Sequence, residues 1–490
     1  MNLKILYITL GILSTELLAA QNQTMEMSLE QVVKIARLES PDAQTARHSF
    51  RSAYWNYQYY RANYLPSLSL SSDPNLNRAI NKITMGDGSV KFVEQNLLNT
   101  DLTLNLSQNI PWTGGSLFLE TSAQRMDLFS EHKYSWQTSP VMIGYRQSLF
   151  GYNSLKWDKR IEPVRYQEAK KSYVETLELV SANAINKFFA LATAQSNYDI
   201  ASFNYANADT LYRYAQGRYN IGTITENEML QLELNRLTEE TNRMNARIEM
   251  DNCMQELRSY LGIQEEREIR VRVSSRIPDF SINLNEALAL AYENSPDIQT
   301  MKRRKLESES AVARARANAG LKADIYLRFG LTQTADKLPE AYRNLLDQQY
   351  VSLSISLPIL DWGRGKGQVR VARSNRDLVY TQVEQSRTDF ELNVRKLVKQ
   401  FNLQTQRVRI AARTDETAQR RNEVARKLYI LGKSTILDLN ASISEKDSAR
   451  RNYVSALYNY WSLYYTLRSM TLYDFESNKL LTEDYNLLIE

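Results

Sequence analysis

An alternating run, VSLSISLP from Val351 to Pro358, leads within ten residues into 64 positions, Gln368 to Leu431, that contain no glycine and no proline. In the first stretch Val351, Leu353, Ile355 and Leu357 alternate with Ser352, Ser354 and Ser356. That two-residue period puts apolar groups on one face of a strand and hydroxyls on the other. A helix through the second stretch would run roughly 95 Å at 1.5 Å per residue, about three times a bilayer core. No ordinary compact domain needs such a rod, so this junction limits the folds open to the chain.

Most of the chain is equally free of helix breakers, with only 16 Gly and 10 Pro in 490 residues, and a mainly α-helical protein is expected. The 61 basic residues nearly balance 56 acidic ones, so nothing indicates a nucleic-acid partner. One cysteine, Cys253, excludes an intramolecular disulfide and a Cys-rich metal site, and it reads as a small buried residue. Only two histidines, His48 and His132, are present, so neither a His-based relay nor a metal cluster is expected, and no cofactor. The glycines at 363, 365 and 367 are not followed by Lys-Ser/Thr in phosphate-loop spacing.

Lys4, the apolar run Ile5–Leu13 and the Ala19-Ala20 pair read as an export signal over residues 1–20. No cysteine follows for lipid attachment. Beyond it no segment approaches 18 consecutive apolar residues, so membrane contact is expected from strands.

The chain repeats itself. Leu29, Ala36, Ser40, Pro41, Asp42, Gln44 and Thr45 recur 255 residues later as Leu284, Ala291, Ser295, Pro296, Asp297, Gln299 and Thr300. Tyr219 and Gly222 recur 210 residues later as Tyr429 and Gly432. A tandem duplication is expected: a first repeat over 21–261, with strands at about 65–150 and a helical hairpin at about 155–261; a connection over 262–282; a second repeat over 283–473, with strands at about 323–357 and a hairpin at about 364–470; and a tail over 474–490. The two offsets differ by 45 residues, and the excess falls among the first repeat's strands, where DLTLNLSQNIPWTGGSLFLETS (Asp101–Ser122) reads as an extra hairpin. Four or six strands per chain are both open.

Two-faced strands usually half-bury in a soluble sheet. Here the neighbouring helices are too long to fold back over them, and an apolar face toward lipid with a polar face toward a wet lumen gives the alternation of a membrane barrel. Such a barrel has to close, and four to six strands are too few for one chain; three chains would make about twelve or eighteen. Trp112, Trp136 and Trp362, all near strand ends, suit an interfacial aromatic girdle or are scattered structural residues. Leu230, Leu234, Leu237, Thr241, Met244 and Ile248 step by 4, 3, 4, 3, 4, a heptad seam.

The duplicated Ser-Pro-Asp turns, the strand and turn SLPILDWGRGKGQV (Ser356–Val369) and the paired Tyr-x-x-Gly turns together resemble the TolC-like outer-membrane efflux factor family. The resemblance implies a homotrimer with an outer-membrane β-barrel continuous with a long periplasmic α-helical barrel in a Gram-negative envelope. It implies a passive, non-enzymatic exit duct gated at its periplasmic helix tips, with a periplasmic adaptor and an inner-membrane pump of RND or ABC type as partners. A type I secretion duct and a periplasmic coiled-coil scaffold are the alternatives. It also implies that Tyr219, Gly222 and Thr223, with Tyr429, Gly432 and Lys433, form adaptor-docking tips. Glu228 and Asp438 would line the entrance, unless they are simply helix-start acids favoured by the dipole.

Overall fold

Glycine, proline and capping residues divide the helices at the expected points. A computed structural model describes residues 25–489 apart from Glu266 and Gly432; the expected leader lies outside the described residues. Helices α1 (Leu29–Glu39) and α2 (Pro41–Ala62) meet at the first Ser-Pro-Asp turn, and α3 (Ser154–Asn220) and α4 (Glu226–Leu261) make the first long hairpin. The second repeat gives α5 (Leu284–Asn294), α6 (Pro296–Ala319), α7 (Arg364–Ile430) and α8 (Ile436–Thr471). Lengths of 11, 22, 67 and 36 residues are answered by 11, 24, 67 and 36. Helix starts keep the two offsets read from the sequence, 255 for the short helices and 210 for the long ones.

The chain divides into two compact units, each drawing on both repeats. One takes in the chain up to Arg51, Ala169–Ile298 and Arg387–Glu490; the other takes Ser52–Glu168 and Gln299–Ser386. In the first unit, β1 (Met25–Ser28) runs parallel to β7 (Ile269–Arg272), which lies in the connection between the repeats. Its core is aromatic: Phe401 lies 5.4 Å from Phe280, 5.2 Å from Tyr460 and 5.7 Å from Tyr464 between ring centres. Burying each such ring contributes about 1.5–3 kcal/mol. The Tyr460 hydroxyl still reaches a partner, donating to the Pro278 carbonyl at 2.8 Å.

The second unit carries an antiparallel sheet of β2 (Ser67–Ser71), β3 (Asn75–Thr84), β4 (Val90–Ile110), β5 (Gly115–Leu128), β6 (Lys133–Ser148), β8 (Lys322–Ala335) and β9 (Leu346–Ser356). The order is β2-β4-β5-β6-β8-β9. β3 pairs with β4 beyond β2 on the same side, so seven strands fill six positions. The extra hairpin is β4–β5, turning at Pro111–Gly114. Toward the other end β4 outruns β5, since pairing stops at Leu97 with Leu128 and residues 90–96 form a two-stranded ribbon with β3 alone.

The register separates a mainly apolar face from a mainly polar one, although the apolar row ends on Gln349 of β9, opposite Phe329. Directly opposed residues share a face, and one row reads Leu68, Leu106, Leu119, Ile143, Phe329 across five strands. All five are exposed. The reverse face reads Ser69, Asn105, Glu120, Met142, Gly330, Gln348 across six. No helix among the described residues is long and apolar enough to cross a membrane.

Candidate functional site

Each long hairpin reverses through a turn that closes the helix on itself. The Thr223 N–H donates to the Arg218 carbonyl at 2.9 Å and the Gly222 N–H to the Tyr219 carbonyl at 2.8 Å, the paired bonds of a Schellman motif. Gly222 takes φ 71°, a conformation that a side chain would strain. In the second hairpin the Lys433 N–H makes the matching long bond to the Leu428 carbonyl at 2.9 Å. Gly432 itself lies outside the described residues; Tyr429 falls in the last turn of α7. Ile221 and Leu431, the residue before each glycine, are exposed. The reading by Tyr-x-x-Gly frame passed over this pair, although an apolar residue at the same place in both turns was visible.

Glu228 and Asp438 both complete capping boxes. Glu228 accepts from the Thr225 N–H at 3.1 Å while its own N–H donates to the Thr225 hydroxyl at 3.3 Å. Asp438 accepts from the Thr435 hydroxyl at 2.7 Å and its N–H donates back at 3.2 Å. The hydroxyl bond, then the Thr435 backbone bond, holds the Asp438 carboxyl below its ordinary range. A helix-start role is therefore present in both hairpins, and it fixes an exposed carboxylate at each first turn.

Trp112 lies in the β4–β5 turn and Trp362 in the β9–α7 loop, both at the end of the sheet that leads into the helices. Trp136 lies toward the other end, on the same face as Arg125, whose guanidinium sits 5.7 Å from its ring. On the hydroxyl-rich face Arg328 pairs with Glu120 at 3.1 Å. Gly330 is required there: a Cβ would fall 2.2 Å from the Val141 carbonyl oxygen.

In the helical unit Glu178 of α3 is fully buried between two arginines. It pairs with Arg37 of α1 and, at 2.8 Å, with Arg468 of α8. Arg37 continues to Glu483 at 2.6 Å, and Arg468 to Asp474 at 3.5 Å. Burial opposes both guanidinium charges, but the carboxylates outweigh it and hold both above the ordinary arginine range. Sequence reading missed this network, whose only signal is an acid set in the apolar run LELVSANAINKFFALA. Cys253 is buried, as read, and no group among the described residues could hold a metal.

A second acid, the half-buried Glu175, lies one turn before Glu178 in α3. Burial, then the charge of Asp297, pushes it up to about 7. The folded state therefore keeps a proton that the unfolded chain, with a carboxyl near 4.5, releases earlier. Stability falls as pH rises from about 4.5 to 7 and is level above, a loss on the order of 3 kcal/mol. Glu175→Gln should raise the melting temperature by several degrees (roughly) at pH 8 and little at pH 5. Equal gains at both pH values would rule out ionisation as the cause.

A duplicated chain with an exposed apolar sheet face and long helical hairpins ending in matched turns falls in the class of outer-membrane channel proteins. The chain belongs to the outer membrane efflux protein family, whose profile matches residues 32–263 and 287–471. It is thus an outer-membrane protein of a family of channels, not of enzymes. Outer membrane protein TolC of Escherichia coli (strain K12) is 21% identical over 311 residues, and the match spans 61% of this chain and 61% of that relative. Among solved structures, the CmeC outer membrane channel of Campylobacter jejuni superposes with a TM-score of 0.66 at 16% identity, covering 94% of this chain and 88% of that one. The outer membrane protein VceC of Vibrio cholerae gives 0.63 at 14% identity, covering 90% and 95%. At such identities these likenesses carry the fold alone.

Proposed function

We propose that three copies of the chain form the passive exit duct of a tripartite efflux assembly, receiving substrates from an inner-membrane pump through a periplasmic adaptor. One observation carries this reading: the sheet has an apolar row across five of its six positions, while its outer strands, β2 with β3 on one side and β9 on the other, have no partner beyond them among the described residues. Unpaired backbone groups in hydrocarbon cost several kcal/mol each, so a sheet in lipid has to close. With six positions per chain, three copies would give an eighteen-stranded barrel, inside the known range of about 8 to 26.

Two helix seams favour self-association. Leu230, Leu234, Leu237, Met244 and Ile248 of α4 are exposed in the single chain, as are Val371 and Leu378 of α7. By contrast Leu457 and Tyr464 of α8 are buried within it. The hairpin tips at Tyr219–Thr223 and Tyr429–Lys433 are the proposed adaptor contacts. Glu228 and Asp438 are the proposed acids of a gated entrance, where rings of carboxylates would favour cations.

The test replaces Gly222 and Gly432 together by Leu and measures export alongside detergent-corrected mass. Export of a pump substrate should fall at least about tenfold, since a side chain at Gly222 strains a turn that takes φ 71° and both replacements change the tip surface, while the mass stays that of three chains. Normal export by the double variant would remove the tips from the mechanism. A wild-type mass of one chain, soluble without detergent, would end the duct reading.

A further inference from the structure

The passage from strand to helix occurs twice, 210 residues apart, with the same chemistry. After β6, Leu149 and Phe150 are exposed at 48% and 54%; after β9, Ile359 and Leu360 are exposed at 94% and 70%. Six and ten residues beyond each pair come Lys156 and Arg160, then Lys366 and Arg370, all exposed. The four-residue spacing sets each Lys and Arg on one helix face, and Arg373 extends the second stripe by a turn. Lys156, Lys366, Arg370 and Arg373 make no salt bridge among the described residues. Arg160 is only loosely engaged, 3.7 Å from Glu309 and 4.6 Å over the Trp157 ring. The nearby Asp361 is held mainly by its own turn, accepting from the Gly363 and Gly365 N–H groups at 2.9 and 2.8 Å, with a weaker attraction to Lys366.

Position along the chain fixes the depth of these groups. Ile359 and Leu360 directly follow the apolar alternation of β9, so they stand at the rim of the hydrocarbon. Lys366 and Arg370 are separated by about 6 Å of helix, against a headgroup layer of roughly 5–8 Å on each side of a bilayer. At 3.6 residues per turn the second stripe is centred about 130° round the helix from Val371 and Leu378. A second copy covering that apolar seam leaves the stripe open.

We propose that the two junctions form a binding site for anionic phospholipid, with the apolar pairs entering the edge of the hydrocarbon and the Lys–Arg stripes taking headgroup phosphates. The proposal rests on the barrel reading above. Arginine meets phosphate with paired N–H donors and lysine with a point charge, and each basic group near an anionic surface strengthens binding roughly fivefold.

The test isolates the full-length protein in mild detergent and quantifies phosphatidylglycerol and phosphatidylethanolamine carried through purification, with mass and single-channel current recorded on the same sample. Combining Lys156→Gln, Arg160→Gln, Lys366→Gln and Arg370→Gln should lower retained phosphatidylglycerol at least about tenfold, leaving phosphatidylethanolamine unchanged. Exchanging Lys for Arg and Arg for Lys at the same four positions should preserve retention, and wild-type retention should fall with rising salt. Equal phosphatidylglycerol on wild type and the Gln variant overturns the proposal. So does a change of ion selectivity without a change in lipid, which would place the stripes in the lumen. Loss of trimer mass or current in the wild type would instead break the duct reading, so the two failures are distinguishable.

Discussion

Glu178→Ala is expected to cost roughly 3–5 kcal/mol per chain, because it leaves two largely buried guanidiniums facing each other without their shared carboxylate. Arg37 would keep Glu483 and Arg468 would keep Asp474, but the two arginines that anchor this C-terminal segment would lose the carboxylate that holds them together. The variant should accumulate poorly and show thermal unfolding in detergent lowered by roughly 5 °C or more. Glu178→Gln, which keeps the shape and some hydrogen bonding, should fall between. A melting temperature within about 1 °C of wild type for the Ala variant would show that the arginines find other acceptors. Among the described residues the network is built in the first repeat's register only. At the matching positions of the other repeat stand Thr388, Arg258 and Tyr292, where Arg258 donates to the Arg267 carbonyl and Tyr292 to Glu391 at 3.3 Å.

That asymmetry explains which parts of the molecule could be read from its sequence. Features set by local chemistry were legible: the Ser-Pro-Asp breaks, the glycine turn at 222, and the strands where Leu and Ser alternate. The 45-residue difference between the offsets identified the β4–β5 hairpin, because an insertion inside a duplication shows by subtraction. β3 was not legible. NLNRAINKIT (Asn75–Thr84) has no clean two-residue period, and Ser72–Pro74 interrupts the strand position that it shares with β2. Nor could spacing show that Leu457 and Tyr464 of α8 are buried within the chain while the seam of α4 is left exposed; only packing separates them. The Glu178 network joins residues up to 446 positions apart, beyond the reach of any local pattern. Asp438 and Glu228 illustrate the opposite case, in which one local motif supports a cap and an entrance acid equally well.

Leu104→Arg and Thr103→Arg give the sharpest contrast, because adjacent residues of one strand lie at nearly the same depth on opposite faces. Leu104 is flanked by Leu70 and Thr121, in the middle of the run Leu102, Leu104, Leu106 that all face the apolar side. Thr103 is flanked by Ser71 and Ser122. If the apolar face meets lipid, an arginine at 104 costs about 2–4 kcal/mol per chain near the bilayer midplane, whereas one at 103 enters a wet lumen at little cost. Trimer recovery in the membrane fraction should therefore collapse for Leu104→Arg and survive for Thr103→Arg, with channel current altered in the latter as a new positive charge lines the path. Were the sheet half-buried against protein, Thr103 would still be the solvated side, and Leu104→Arg would yield a misfolded soluble chain rather than one lost from membranes. Fractionation thus separates the alternatives even where stability does not. Full membrane recovery of both variants would mean that neither face meets hydrocarbon, and the reasoning from alternation to barrel would fail at its first step.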